Sequence, residues 1–195
     1  MNMRIKRALA AAGIATAIAL PMSSQASDGT ITFTGAVTAS TCTVNVNGAG
    51  SVDATVALPT VDTAALTNVG PRTTAAGTFF NMVVSGCVAA NDFGAGAPTH
   101  VQIYFEAGPN VDQATSGLIN TVAGSNVEVS LYKASGPAIV GTLITPGSAT
   151  NQPAVLTLAG GGTQWFYAGY STAGAAAAAT PGAVSTSVTY SVIYN

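Results

Sequence analysis

The residues able to do chemistry are few. His100 is the only histidine, so a Ser–His–Asp or Cys–His arrangement would have to use it as the base. It opens the alternating run from His100 to Glu106, has no nucleophile motif beside it, and reads as a surface histidine at a strand edge. One imidazole with the cysteines Cys42 and Cys87 is too small a ligand set for zinc or copper. The carboxylates are scattered, and no spacing pairs two of them for acid–base work. Gly160-Gly161-Gly162 lacks the lysine and helix start of a phosphate loop and reads as a hairpin turn. Trp165 and Tyr167 share one side of a strand and could offer a sugar a platform, but packing is the role their context favours. These residues indicate no enzyme: the sequence offers no catalytic residue, no metal site and no cofactor site.

The elements that carry them are strands. Period-two alternation recurs along the chain and helical periodicity hardly occurs. Ile31, Phe33, Gly35 and Val37 alternate with threonines and Ala36. Val101, Ile103 and Phe105 alternate with Gln102, Tyr104 and Glu106, and Val127, Val129 and Leu131 with Glu128, Ser130 and Tyr132. Val188, Tyr190, Val192 and Tyr194 do the same at the end. Further strands are predicted near 42–47, 52–58, 78–86, 138–144, 153–158 and 164–170. Glycine and proline clusters separate them, such as Gly94–Pro98 and Gly108-Pro109-Asn110. The stretch Thr60–Ala76 holds a loop or a short helix, and Gly174–Gly182 a loop before the last strand. This pattern predicts an antiparallel β-sandwich in one domain.

The first residues have a different character. Arg4, Lys6 and Arg7 precede the apolar run Ala8–Leu20, then Pro21 and the small-x-small pattern Ser24-Gln25-Ala26. This is the layout of a secretory signal peptide over residues 1–26; the run is too short for a bilayer core that needs roughly 20 residues. Removing 26 of 195 residues leaves 169, with Arg72 and Lys133 against seven acids and a formal charge of −5. That balance excludes a basic nucleic-acid surface. In an exported chain the pair Cys42 and Cys87 makes one disulfide, whose closed loop contributes about 4 kcal/mol on a chain-entropy account.

Several of these segments carry a family resemblance. Gly29-Thr-Ile-Thr-Phe-Thr-Gly-Ala-Val-Thr-Ala-Ser-Thr-Cys42 resembles the N-terminal extension and first cysteine of type 1 fimbrial major pilins. Phe79-Phe-Asn-Met-Val-Val-Ser-Gly-Cys87 resembles their strand into the second cysteine. The end is similar too: Trp165-Phe-Tyr-Ala-Gly-Tyr170, then Ala179-Thr-Pro-Gly-Ala183 and a last strand with penultimate Tyr194. Gly182 stands fourteenth from the C-terminus, where the family has a glycine.

The resemblance implies an all-β fold, an incomplete immunoglobulin-like β-sandwich lacking its seventh strand and completed by a donor strand from a neighbouring subunit. It implies residues 27–41 as the donor extension, with Ile31, Phe33 and Val37 in pockets and Gly35 between them, and 42–195 as the pilin domain. Gly182, Val188, Tyr190, Val192, Tyr194 and Asn195 would form the assembly strand that a periplasmic chaperone holds. The implied function is structural subunit of an adhesive fimbria, the major shaft subunit, exported through the periplasm to the cell surface. The implied partners are copies of itself, the chaperone, an outer-membrane usher, and tip subunits or an adhesin. The competing reading is a monomeric secreted β-sandwich that binds a ligand or carbohydrate and pairs residues 27–41 within its own chain. The exported protein is expected to begin at Ser27, which its intact mass checks.

Overall fold

Alternation in the sequence becomes alternation of burial. Along His100–Phe105 every second side chain, Val101, Ile103 and Phe105, is almost wholly buried, and those between them are exposed or half-buried. This is a pleated strand with one face on a core. Phe80, Met82 and Val84 repeat the pattern. A computed structural model describes residues 42–67, 69–70, 72–87, 98–174 and 178–195. The expected signal peptide and the alternating segment with Ile31, Phe33, Gly35 and Val37 lie outside these residues.

The described strands are β1 (Thr43–Val46), β2 (Gly77–Ser85), β3 (His100–Phe105), β4 (Val111–Asp112), β5 (Gly117–Ile119), β6 (Val127–Ala134), β7 (Val140–Leu143), β8 (Leu156–Thr157), β9 (Gly162–Thr172) and β10 (Tyr190–Tyr194). They form two antiparallel sheets. The larger has the order β1-β2-β9-β6-β5-β4, with β7 also on β6; the smaller has the order β10-β3-β8. Phe166 on β9 joins them. Its ring lies 5.2 Å from Phe80, its partner on β2, and 5.4 Å edge-on from Phe105 of the other sheet. Val44, Met82, Leu118, Val129 and Leu131 fill the core around it. The Cys42–Cys87 disulfide ties the start of β1 to the end of β2, beside the pair Thr43↔Ser85.

Two expectations change. Residues 52–58, patterned as a strand, belong to no sheet among the described residues. The Gly160–Gly162 turn is not a hairpin, because β8 pairs β3 in the small sheet while β9 lies in the large one. Glycine is needed there: Gly161 has φ +55° and a Cβ would sit 2.2 Å from the Val84 carbonyl oxygen. Thr60–Ala76 agrees with its expectation: among the described residues it is loop with a short helical stretch, the 3₁₀ turn Thr63–Leu66, capped by Asp62 Oδ1 accepting from the Ala64 amide at 2.8 Å. The short β4 and β5 had no sequence signal. Asp112 makes them a pair by accepting from the amides of Ala114 (side chain, 2.8 Å) and Ser116 (carbonyl, 2.7 Å).

The side of β6 turned away from the core is buried as well. Glu128 is only 3 % exposed, and Ser130 and Ser171 are wholly buried with their hydroxyls 2.8 Å apart. Thr115 donates to Glu128 Oε2 at 2.8 Å, and Gly117 lies so close that a Cβ would clash with that carboxylate. Burial pushes the Glu128 carboxyl above its ordinary range; the Thr115 bond opposes this, and neighbouring Asp112 adds to it. A carboxyl raised in the folded state binds more protons there than when unfolded, so its contribution to stability falls as pH rises from the ordinary glutamate range toward neutrality. Glu128→Gln is therefore expected to raise the melting temperature at pH 7 more than at pH 4, as thermal unfolding at the two pH values would reveal.

Candidate functional site

The last strand is joined to the fold along one edge only. β10 pairs β3 from Tyr190↔Phe105 to Tyr194↔Val101 and is the outer strand of its sheet. The segment before it, 183–189, continues the same line without being in a ladder. Asn120 pins it, accepting from the Ser185 amide at 2.9 Å and donating to the Ala183 carbonyl at 3.0 Å. The Ser185 carbonyl accepts from the Thr121 amide at 2.8 Å, and the Thr189 carbonyl from the Glu106 amide at 2.9 Å. Every one of these bonds is made by an odd-numbered residue. In an extended chain successive residues direct their backbone groups to opposite edges. The N–H and C=O groups of Val184, Thr186 and Val188 therefore face the other way, and no described backbone group meets them.

What they face is a groove of about 760 Å³. Its opposite wall is the extended segment 52–58, held by three hydroxyls: Thr78 donates to the Ala57 carbonyl (2.8 Å), Tyr170 to Pro59 (3.0 Å) and Tyr190 to Val52 (2.7 Å). Burial, reinforced by Asp53, holds the Tyr190 phenol above its usual range, so it stays protonated and able to donate. No backbone bond joins the two walls among the described residues. Phe80, Met82, Phe105, Leu131 and Ala168 form the apolar floor. A second hollow of about 530 Å³ shares Tyr170 and Val184 with the groove and reaches Leu66 and Ala179. The site is thus one strand wide, with an apolar floor, the unpaired backbone edge of 184–188 on one side and the ladder-free segment 52–58 on the other.

The residues singled out from the sequence are distributed along it. Val188 and Tyr190 line the groove, and Val192 and Tyr194 continue the same half-buried face. The Tyr194 hydroxyl accepts from the Cys42 amide at 3.0 Å, locking the chain's end to the disulfide. The Asn195 carbonyl oxygen accepts from the Thr99 and His100 amides at 2.8 and 2.9 Å. Gly182 lies at the lip of the second hollow, and a Cβ there would touch nothing within 4 Å, so the domain's own backbone does not demand a glycine. Ile31, Phe33, Gly35 and Val37, expected from the sequence to form a donor strand, lie outside the described residues. Trp165 is half-buried on β9 opposite Asn81, and Tyr167 packs on Phe79 at 4.8 Å. His100 is exposed and shares a bond with the Thr99 hydroxyl at 2.7 Å. Sequence reasoning missed Asn120 and Thr186, whose roles depend on contacts distant in the chain.

Two sheets around one core, with a strand-sized gap bordered by the unpaired edge of 184–188, define an immunoglobulin-like sandwich lacking one strand. The family model for the type-1 fimbrial protein A (FimA) matches residues 58–195. The major fimbrial subunit SMF-1 of Stenotrophomonas maltophilia is 36% identical over 189 residues, 91% of this chain and 98% of that protein. Among solved structures, the P pilus rod subunit PapA superposes with a TM-score of 0.57 at 19% identity, over 80% of this chain and 99% of that one. A chain from a chaperone–usher pilus structure concerned with rod uncoiling superposes with a TM-score of 0.56 at 23% identity, over 90% and 100%. The chain belongs to the type-1 fimbrial protein family. It is a structural subunit of a fimbrial shaft, a surface pilus component that polymerises with neighbouring subunits, and not an enzyme.

Asn120→Ala removes the acceptor and donor that hold the groove wall. It is expected to lower unfolding free energy by about 1–2 kcal/mol and to speed amide exchange across 183–187, measured by denaturation and hydrogen exchange of the full chain.

Proposed function

We propose that the groove is an acceptor for residues 27–41 of a neighbouring copy, and that the subunit polymerises by donor-strand exchange. The observation that carries this reading is the unpaired backbone edge of 184–188, which faces the ladder-free segment 52–58 across an apolar floor. Such edges are an aggregation hazard unless a strand covers them, and strand addition satisfies both the backbone and the floor. Ile31, Phe33 and Val37 supply the side chains. Burying them contributes roughly 5–9 kcal/mol as an upper figure, before ladder bonds of about 1 kcal/mol each. Residues 1–26 act as the export signal, so the extension becomes the mature N-terminus, and 42–195 form the receiving domain.

Before a neighbour arrives the same groove needs a temporary occupant. A periplasmic chaperone lending a strand fits that need, with the Asn195 carboxylate held by its basic residues. Handover then takes place at an outer-membrane usher, and tip subunits or an adhesin precede the shaft. A monomeric ligand-binding sandwich, the competing reading, would leave the free edge of 184–188 without a purpose.

The test keeps the chain whole. Changing Ile31, Phe33 and Val37 together to serine should leave a disulfide-bonded, folded subunit that forms no detergent-resistant polymer. Adding a synthetic peptide of residues 27–40 to that variant should raise its urea midpoint sharply and leave only very slowly. Polymerisation at the wild-type level by the triple variant would overturn the proposal.

A further inference from the structure

One hydroxyl in the groove has no partner. Val184, Thr186, Val188 and Tyr190 alternate on the inward, half-buried side of the groove wall, and three of the four pack on the core through apolar or aromatic groups. The fourth is Thr186. Its Oγ1 is buried and makes no hydrogen bond, although Thr186 lines the groove. A buried, unsatisfied hydroxyl is unfavourable and calls for an explanation, and of the buried atoms in this state Thr186 Oγ1 is the one whose residue lines the groove.

The donor segment has a matching irregularity. Its alternating apolar set is Ile31, Phe33, Gly35 and Val37, and only the third lacks a side chain. Laid antiparallel, these four face Tyr190, Val188, Thr186 and Val184 in turn. The even-numbered wall residues are the ones with free backbone groups, so each of the four makes a hydrogen-bonded pair. A parallel strand that kept Gly35 beside Thr186 would set Ile31 over the exposed Gly182 and leave Tyr190 uncovered. At Gly35 no Cβ stands between the Thr186 hydroxyl and the incoming backbone. Any other residue would press carbon onto that oxygen.

We propose that Thr186 sets the register of the entering strand, its hydroxyl hydrogen bonding to the backbone at Gly35 of a neighbouring copy. This rests on the donor-strand reading and adds to it the residue that distinguishes one alignment from a two-residue slip. A slip in either direction would place a side chain of the apolar set over the hydroxyl and move the glycine over an apolar pocket. Thr186 is a positioning residue, and the class of ligand it selects is an extended apolar strand with a glycine at its third inward position.

The experiment uses the full chain with Ile31, Phe33 and Val37 changed to serine, so that its groove is open to labelled peptide 27–40. Thr186→Val, which keeps the shape and removes the hydroxyl, is expected to shorten peptide residence roughly fivefold to tenfold, the worth of one hydrogen bond. It should also shrink the preference for the native peptide over one with Gly35→Ala. Equal residence on both grooves would overturn the contact while leaving strand donation intact. Failure of the unaltered groove to hold the peptide would overturn donation itself. Register is read separately in polymers of the otherwise native chain. Thr34→Cys with Ser187→Cys should give intermolecular disulfides, and Thr34→Cys with Ser185→Cys should not. Cross-linking of the second pair in preference to the first would overturn the alignment.

Discussion

The backbone amides and carbonyls of Val184, Thr186 and Val188 have no partner among the described residues, and much of the molecule follows from that. Backbone polar groups taken out of water must be paired, and an open strand edge over an apolar floor invites any passing strand. A domain built to stand alone would close the gap with its own chain or blunt the edge with charge. Here the edge carries no charged side chain between Ala183 and Asn195, and its inward face is apolar except at Thr186. The fold holds the edge ready for a partner.

Readiness requires rigidity on both sides of the gap. Phe166 joins the sheets through Phe80 and Phe105 and fixes the height of the floor. Asn120 and Thr121 hold one wall, and the hydroxyls of Thr78, Tyr170 and Tyr190 hold the other. The disulfide and the Cys42–Tyr194 bond close one end. Most of these restraints act on backbone carbonyls and amides, which sets the walls in place while leaving the inner edge of 184–188 free. A wall secured by ladder bonds on its inner edge would have no room for a strand.

On the donor-strand proposal the donor segment and the acceptor groove differ, so the contacts between copies run head to tail. Such heterologous contacts give open filaments unless the rotation closes, which suits a fibre subunit. Beyond residue 26 the chain has two basic residues against seven acids, which leaves few charges to steer or repel its neighbours. Polymerisation then depends on backbone pairing and apolar fit more than on electrostatic matching.

The sequence by itself determined the strand content, the export signal layout, the cysteine pair and the family, because side-chain period, charge placement and short motifs are local properties. It also marked 52–58 and the face Val188–Tyr194 as strands, and their pattern is that of strands even where no ladder forms. Only the tertiary structure decided that 52–58 and 184–188 face each other across a gap, since pairing depends on which distant segment lies alongside. The same limit applies to the short β4 and β5, to the turn at Gly160–Gly162 that crosses between sheets, and to the burial of Glu128. Each depends on contacts between residues far apart in sequence, for which local alternation carries no signal. Thr186 shows the boundary well: in sequence it is one threonine among many, and only its place among apolar neighbours leaves its hydroxyl buried and unpartnered.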